Sequence, residues 1–388
     1  MTENVVESSI DFVNTACCLQ RHVLPRQLPM VSLTASISTS RPSSLSADNV
    51  DAVLTRLRRD GAICFRDTGV TSASDLQAFL APLVSGHYMP YFGGTNARRA
   101  LATSSGSDGG GDDESGSSCD AGGDGGSAAV EAVLDTGTEP HHLRLREHAE
   151  MAYVDRWPGI IAFGCLTPPD RPHEQGQTTV VRTAEIVAAL PTAFVERLRR
   201  DGLRHRFWYH DANAKAGDGS PRAVKSWQDA FLTRQPREVE VLCADRGWDY
   251  EWSSSSSKGG TGETRGITVS YVRDAFIRHP HTSEEVLFVT DLSGQWYDGW
   301  EPFCRLPDAL RPYSFSWGDE ARSVFSAQDR ATWCSAVDGV RYLHAWQRGD
   351  VLLCDNMLAM HGRLPYDGGP RALGVLLAHP VDRVDVAL

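Results

Sequence analysis

Residues 349–371 have the sequence GDVLLCDNMLAMHGRLPYDGGPR, and this stretch decides the fold class. Its apolar run at 351–354 predicts a buried strand that ends in polar residues and brings His361 to the end of a strand. The turn-forming residues 365–370 then separate His361 from Arg371, which opens the next apolar run. We therefore expect His361 and Arg371 on neighbouring antiparallel segments, with a permanently cationic side chain beside a residue that can bind metal.

The rest of the chain combines amphipathic helices with short strand-like runs. Helices are predicted between a Ser46 cap and Gly61, at 71–83 and at 184–200. Further strands are predicted at 62–65, 160–166, 178–181, 204–209, 267–271, 286–290 and 372–377. Because several of these strands are too far apart for hairpins and do not alternate with helices as βαβ units do, the pattern favours an all-β barrel or sandwich with flanking helices over a doubly wound sheet.

The composition excludes several classes of protein. The 388 residues have a formal net charge of −12, which argues against a nucleic-acid binder or a protein of anionic membrane surfaces, because both need a basic face. No apolar run is long enough to span a bilayer, and the N-terminus has no signal-peptide pattern. The nine cysteines include no C-x-x-C pair. We therefore expect a reduced, cytoplasmic protein, and the sequence does not define its oligomeric state.

Two low-complexity segments interrupt an otherwise ordinary composition. Residues 104–129 contain nine Gly, seven Ser, five Asp and one Glu without any Lys or Arg, and residues 253–263 form a shorter segment of this kind. Such stretches have too little apolar surface to offset the entropy of ordering, so we interpret them as surface insertions. The predicted organisation is an N-terminal tail over 1–30 and a single domain over 31–388.

Among the thirteen histidines, only His148 stands two residues before a carboxylate, that of Glu150. On a strand, positions i and i+2 lie on one face and can share a metal, whereas on a helix they point apart. The pair is a weak signal alone, since a chain with 50 acidic residues produces such pairs by chance. With His361 as third ligand it would form the two-histidine, one-carboxylate triad of non-haem Fe(II) oxygenases, or a zinc site. Arg371 favours the oxygenase, because a guanidinium can bind a dicarboxylate co-substrate bidentately.

Several motifs resemble those of one known family. They are GAICFR at 61–66, YFGG at 91–94 followed by Arg98 and Arg99, HAEMAY at 148–153, FGCL at 163–166, GQT at 176–178, DN at 355–356, HGR at 361–363 and PR at 370–371. Together they resemble the Fe(II)/2-oxoglutarate-dependent dioxygenases of the taurine dioxygenase (TauD/TfdA-like) superfamily, with a closer likeness to its SyrP-like branch. Gln177, Ser283, Leu287 and Val289 depart from the pattern of that branch, which puts the substrate in doubt and not the metal site.

The resemblance implies a fold and a set of roles. The implied fold is the double-stranded β-helix, a clavaminate synthase-like jelly roll, which would bring together positions 148 and 361 although they are 213 residues apart. His148, Glu150 and His361 would hold Fe(II), Arg371 would grip the distal carboxylate of 2-oxoglutarate, and Thr178 would add a hydroxyl contact. Molecular oxygen is the other implied co-substrate.

The implied substrate is a small amino-acid-like molecule, free or tethered to a carrier protein, in a natural-product pathway. Hydroxylation of an unactivated C–H bond is the default reaction, and desaturation or cyclisation would use the same site. Candidates for the substrate site are the aromatic residues Tyr153, Phe163 and Trp346, which could equally be core packing, and the basic pair Arg98 and Arg99, which could equally be solvated. Two alternatives stay open at this stage: a metal-dependent hydrolase with the same ligands, and a binding protein that kept the barrel without turnover.

Overall fold

The computed structural model describes residues 49–84, 86–91, 98, 100–101, 133–136, 139–213, 225–254, 264–301, 303–306 and 310–388, together with two short strands at 11–13 and 30–32. The predicted insertion 104–129, most of the predicted insertion 253–263, and most of the predicted tail 1–30 lie outside the described residues.

The described part of the chain contains seven α-helices. They are α1 (Val50–Asp60), α2 (Ala73–Val84), α3 (Thr183–Ala189), α4 (Thr192–Asp201), α5 (Trp227–Phe231), α6 (Pro236–Asp245) and α7 (Ala327–Val340). None of these helices has both the length and the apolar character that crossing a bilayer requires.

Seventeen strands are described. They are β1 (Asp11–Val13), β2 (Met30–Ser32), β3 (Ala62–Arg66), β4 (Val133–Asp135), β5 (Leu145–His148), β6 (Arg156–Thr167), β7 (Thr178–Arg182), β8 (Leu203–His210), β9 (Asp249–Ser254), β10 (Thr264–Arg273), β11 (Phe276–Arg278), β12 (Glu285–Leu287), β13 (Tyr313–Trp317), β14 (Tyr342–His344), β15 (Val351–Asp355), β16 (Ala359–Arg363) and β17 (Ala372–Asp382).

Two sheets form the centre of the fold. The larger has the strand order β1-β2-β3-β15-β6-β17-β4, and the smaller has the order β14-β7-β16-β5. Apart from the parallel contact of β2 with β3, every described strand pair is antiparallel. A third sheet, β13-β8-β10-β9, and the hairpin β11-β12 complete the strands. Two facing antiparallel sheets with flanking helices are the architecture of a jelly roll, so the predicted fold class is confirmed.

Both faces of the larger sheet are buried, because successive side chains of a strand point in opposite directions. In β15, Leu352 packs in the core that contains Val180 of the smaller sheet. Its neighbour Leu353 packs on the other side, in the core that contains Leu76 of α2. Burial on both faces explains why 351–354 is a continuous apolar run.

The structure also differs from the predicted elements. The single helix predicted at 184–200 is two helices, α3 and α4, because Pro191 has no N–H and disfavours helical geometry at Leu190, which is extended. The strand predicted at 286–290 ends at Leu287. Helices α5 to α7 were not predicted, although Ser326 and Asp329 form a capping box at the start of α7.

Candidate active site

Two histidines meet on adjacent strands of the smaller sheet. His148 is the last residue of β5 and lies directly opposite His361 of β16, with ring centroids 4.6 Å apart. The Oε2 atom of Glu150 lies 4.0 Å from the Nε2 atom of His148 and 3.7 Å from the Nε2 atom of His361. All three side chains are buried, and their ligand atoms lie within 4.8 Å of one another. An antiparallel strand pair therefore closes the long sequence gap between these histidines.

The donor set fits a divalent transition metal. The Nδ1–H of His148 donates to the backbone oxygen of Arg146 over 2.8 Å, which leaves the Nε2 lone pair directed at the other two ligands. Burial, and then the proximity of His148 and Arg98, lowers the pKa of His361 well below its usual value, so this imidazole is neutral at physiological pH. Two neutral imidazoles and one carboxylate on one side of a site are the ligands of a non-haem Fe(II) facial triad, and they suit zinc as well.

The backbone of Glu150 is held in place by a side-chain amide. We predicted that His148 and Glu150 would share a strand, but β5 ends at His148 and Glu150 lies in the following turn, where Met151 has a φ of 59°. The buried amide of Asn356 replaces the missing strand partner: its Oδ1 accepts from the Glu150 N–H over 2.7 Å and its Nδ2 donates to the Glu150 carbonyl over 2.9 Å. Asn356 thus fixes the position of a residue that the β ladder does not reach.

A glycine follows His361 because β5 comes close at this point. A Cβ atom at Gly362 would lie 2.5 Å from the backbone oxygen of Leu145 and 2.7 Å from the hydroxyl of Thr179. The ladder between β16 and β5 is irregular between His361 and Arg363, which is where this close approach occurs. Any larger residue at position 362 would push the two histidine-bearing strands apart.

An arginine contacts the carboxylate of the triad. The guanidinium of Arg98 donates to Oε2 of Glu150 over 2.9 Å and stacks on the ring of Tyr91 at 4.5 Å. The Arg98 side chain is only 12% exposed, so the contact is shielded from water. The structure therefore places Arg98, a candidate for substrate binding, beside the ligand carboxylate, while its sequence neighbour Arg99 lies outside the described residues.

Arg371 and Thr178, the candidate co-substrate residues, line the same cavity as the two histidines. Arg371 donates from Nε to the backbone oxygen of Gly176 over 3.0 Å, interacts with the side chain of Tyr366, and lines the cavity with its guanidinium. Burial, and then the nearby Arg363, lowers the pKa of Arg371 to about 10, so it stays cationic at neutral pH. Thr178 accepts from Nε1 of Trp346 over 3.0 Å, and its own hydroxyl hydrogen remains for donation.

The expected strand pairing of His361 with Arg371 was wrong. His361 belongs to β16, which pairs with β5 and β7, whereas Arg371 precedes β17, which pairs with β6 and β4. His361 also lies inside β16 and not at the end of the preceding strand. The turn between the two residues crosses from one sheet to the other. Both residues still line the same cavity.

A cavity of about 290 Å³ joins these groups. Its walls include the triad, Thr178 and Arg371, and the candidate substrate residues Arg98, Tyr153 and Phe163. Trp346 is fully buried behind Thr178 and is not among the lining residues. The lining residues that the sequence did not indicate include Tyr91, Phe207, Asp291, Trp296, Tyr297, Arg311, Tyr313, Phe315 and Arg330. They share no short-range motif, because they come from five separate segments that only the fold brings together.

The cavity favours an anionic guest next to the metal-ligating side chains. Five arginines line it against three carboxylates, and these are Arg98, Arg311, Arg330, Arg363 and Arg371 against Glu139, Glu150 and Asp291. Arg363 is occupied by the protein itself, since it donates to the backbone oxygens of Glu139, Pro140 and Leu143. Arg371 is thus the cation whose terminal nitrogens are best placed for a carboxylate guest.

A second buried group of metal-ligating types consists of Cys64, His344 and Asp350. His344 Nε2 lies 3.1 Å from the Oδ2 atom of Asp350, which also accepts from the backbone N–H of Gln347 and faces the guanidinium of Arg66 at 3.8 Å. A cation already faces this carboxylate, so the group is best explained as a hydrogen-bond network behind Trp346. Burial raises the pKa of the Cys64 thiol well above its usual value, which keeps the thiol protonated and unreactive.

The Thr178 hydroxyl gives a prediction with a matched control. We expect Thr178→Val to raise the KM for 2-oxoglutarate about 3- to 10-fold, because one neutral hydrogen bond to the co-substrate is lost. Thr179→Val is the control, since Thr179 is equally buried but points to the other face of β7 and does not line the cavity. Succinate formation measured over a range of 2-oxoglutarate concentrations checks both variants, and an equal KM for Thr178→Val and wild type would remove Thr178 from the site.

The chain is similar to a known protein family and to several individual proteins. The model of the family described as "Taurine catabolism dioxygenase TauD, TfdA family" matches residues 26–377. The chain is 28% identical over 254 residues to the dapdiamide synthesis protein DdaC of Enterobacter agglomerans, which covers 63% of this chain and 69% of that protein. It is 24% identical over 357 residues to a clavaminate synthase-like protein of Arabidopsis thaliana, which covers 90% of this chain and 89% of that protein.

Among solved structures, a similar one is that of PvcB, an Fe, alpha-ketoglutarate dependent oxygenase from an isonitrile synthetic pathway. It is 13% identical, with a TM-score of 0.47, and the match covers 94% of this chain and 91% of that chain. The range that the family model matches includes the triad, Thr178 and Arg371.

Proposed function

This chain belongs to the TauD/TfdA family of Fe(II)/2-oxoglutarate-dependent dioxygenases, and we propose that it oxidises an unactivated C–H bond of a small amino-acid-like substrate. The proposed outcome is hydroxylation, with desaturation or cyclisation as other uses of the same site. In the balanced reaction, the substrate, 2-oxoglutarate and O₂ give the hydroxylated product, succinate and CO₂. When bound, the iron supplies the oxidising chemistry that activates O₂ and breaks the C–H bond.

One observation supports the proposal above all others. The buried triad of His148, Glu150 and His361 opens on the same cavity as Arg371 and Thr178. A hydrolase with these ligands has no need of an arginine in the same cavity that can bind a dicarboxylate. A binding protein without turnover has no need of three metal ligands together with the two co-substrate residues.

The chain's own residues would divide the work. His148, Glu150 and His361 would hold the metal. Arg371 and Thr178 would bind the distal carboxylate of 2-oxoglutarate, which fixes the orientation of its reactive end. Phe163, whose ring lies 5.0 Å from that of His361, excludes water from the metal side of the cavity.

A role in specialised metabolism is supported by one relative. DdaC, a dapdiamide synthesis protein, is similar to this chain over 254 residues. We infer that the substrate of this chain is an amino acid or an amino-acid-like unit of a natural product, presented free or on a carrier protein. The mixture of aromatic and charged residues around the cavity suits a small zwitterionic or anionic guest.

The test is a screen for substrate-stimulated succinate formation. The purified protein is given Fe(II), O₂ and 2-oxoglutarate with each of the twenty amino acids, either free or as thioesters that imitate a carrier-bound aminoacyl group. We expect succinate formation to rise at least about 10-fold with a true substrate over the uncoupled background, because productive substrate binding completes the site. Mass spectrometry of the product separates a gain of one oxygen atom from a loss of two hydrogens.

Two controls make the screen decisive. Zn²⁺ in place of Fe(II) should abolish succinate formation, because zinc has no redox chemistry. Release of a hydrolysed product with Zn²⁺ but without 2-oxoglutarate would instead favour the hydrolase alternative. Stimulation by thioesters alone would support a carrier-bound substrate, and stimulation by free amino acids would exclude the need for a carrier.

A further inference from the structure

A buried carboxylate lies in the wall of the cavity. Asp291 is 3% exposed and lines the cavity together with the triad. It follows the short strand β12, in a segment tied to the metal site because the Ala149 N–H donates to the backbone oxygen of Val289 over 3.1 Å. Ala149 stands between His148 and Glu150. Asp291 therefore belongs to the part of the wall that adjoins the metal-ligating turn.

The partners of Asp291 do not neutralise it. Its Oδ1 accepts from the backbone N–H of Ser293 over 2.8 Å, and its Oδ2 accepts from the Ser293 hydroxyl over 2.6 Å. A carboxylate offers about four acceptor positions, so both oxygens keep capacity for further donors. Within the described residues, Asp291 forms no ion pair, and burial raises its pKa above the usual value of an aspartate. A buried carboxylate without a cation is costly, and an isolated one usually gains a partner.

The nearby arginines are committed elsewhere. Arg98 binds Glu150, and Arg330 donates to the backbone oxygens of Ser293 and Phe325. Arg371 is the residue proposed to bind 2-oxoglutarate. Arg146 acts on Asp291 only through the longer-range attraction of charges, because its guanidinium donates to Gln295 and Asp338. Within the described residues, no ion pair neutralises Asp291.

Aromatic rings line the same cavity as this carboxylate. Tyr153, Phe207 and Tyr313 line the cavity, with ring centroids 5.1 to 5.9 Å apart. Burial, and then the charges of Tyr271 and Asp291, raise the pKa of Tyr313 well above its usual value. Trp296 meets the ring of His148 edge-on at 5.4 Å. Aromatic faces beside a carboxylate are the surroundings that attract an ammonium group.

We propose that Asp291 binds a protonated amine of the substrate, so that the enzyme selects an ammonium-bearing molecule and rejects its neutral counterpart. The inference rests on the proposed function, since it assigns a recognition element within the same cavity. A purely structural role of Asp291 in shaping the Ser293 turn does not require a charge, because an asparagine oxygen would accept the Ser293 N–H equally well. Charge is therefore the property that separates the two roles.

The test compares amines with their acetylated forms. The probes are the twenty amino acids and their N-acetyl derivatives, each as the free acid and as the N-acetylcysteamine thioester, with Fe(II), O₂ and a saturating amount of 2-oxoglutarate. We expect the wild-type enzyme to form succinate with one or more free-amine probes at a kcat/KM at least about 10-fold above that of the acetylated partner. Stimulation confined to acetylated probes, or absent from every free-amine probe, would overturn the proposal without any variant.

The charge is then removed in an isosteric variant. Asp291→Asn should raise the KM for the best free-amine probe about 10- to 100-fold, with a smaller change in kcat, and should abolish the preference over the acetylated partner. Asp298→Asn, an exposed change in the same segment, is the matched control and should preserve the preference. A preference unchanged in Asp291→Asn would refute the role of the charge.

Different results would refute the proposed function and the proposed role of Asp291. If the proposed function is wrong, the wild-type protein will not bind 2-oxoglutarate in the presence of Fe(II) under anaerobic conditions. If only the role of Asp291 is wrong, 2-oxoglutarate binding and stimulated succinate formation will persist without discrimination of the amine. The KM for 2-oxoglutarate should be the same in Asp291→Asn and wild type, which confirms that the variant has an intact metal and co-substrate site.

Discussion

Replacing Glu150 with alanine is expected to reduce substrate-stimulated succinate formation by at least about 100-fold. Loss of a residue that merely orients a metal ligand typically costs 10- to 100-fold in metal affinity or activity, and loss of the ligand itself should cost more. Here a second effect adds to the first. Arg98 now donates to Oε2 of Glu150, and without that carboxylate its positive charge would face two histidines and repel a divalent cation. Anaerobic titration with Fe(II) should therefore show weakened metal binding.

The control for this variant lies three residues earlier, on β5. Glu147 is as buried as Glu150, but it pairs with Arg144 and does not line the cavity. Glu147→Ala should lower the free energy of unfolding by about 1–3 kcal/mol while retaining Fe(II) binding. Glu150→Gln, which keeps the size of the side chain, should lose metal affinity as Glu150→Ala does. Normal turnover of Glu150→Ala would mean that the triad is wrongly assigned.

Replacing Arg371 with lysine should raise the KM for 2-oxoglutarate about 10- to 100-fold with a smaller effect on kcat. Arg371 uses Nε to donate to the backbone of Gly176, and its planar guanidinium lines the cavity, where it can bind a carboxylate. A lysine keeps the charge but has no planar fork and cannot hold Gly176 and a carboxylate at the same time. The measurement is initial-rate succinate formation against 2-oxoglutarate concentration, at a fixed concentration of the best substrate from the screen.

Arg383 offers a matched arginine outside the cavity. Burial lowers the pKa of Arg383 to about 10, as it does for Arg371, and Arg383 donates to the backbone oxygens of Ala152 and Val154. Arg383→Lys should lower stability and leave the KM for 2-oxoglutarate unchanged. If the two variants raised this KM equally, a general loss of packing would explain the effect and Arg371 would not be the carboxylate-binding residue.

Much of the fold could be predicted from local patterns. The apolar run at 351–354 is a strand because only a sheet covered on both faces needs continuous hydrophobic residues. The helix that ends at Gly61 could be predicted from its 3.6-residue period and its C-terminal glycine, which has a φ of 79°. The break between α3 and α4 was missed, although Pro191 signals it, because the apolar period continues across the interruption.

The candidate site could be predicted only in part. His148, Glu150 and His361 are recognisable because metal ligation restricts residue type and spacing, and the structure brings these three together. The path of the chain from His361 to Arg371 could not be predicted, because a turn in the sequence does not reveal that it crosses between sheets. Asp291 could not be identified from the sequence, because its significance depends on its burial and on the aromatic residues of other strands that line the same cavity.

The measurement that tests the central claim most directly is the absorption spectrum of the anaerobic protein with Fe(II) before and after addition of 2-oxoglutarate. If the triad holds iron and Arg371 and Thr178 hold the co-substrate beside it, 2-oxoglutarate should produce a visible metal-to-ligand charge-transfer band. Glu150→Ala should lack this band, and Arg371→Lys should need about 10- to 100-fold more 2-oxoglutarate to reach it. A wild-type spectrum that does not change at saturating 2-oxoglutarate would contradict the account.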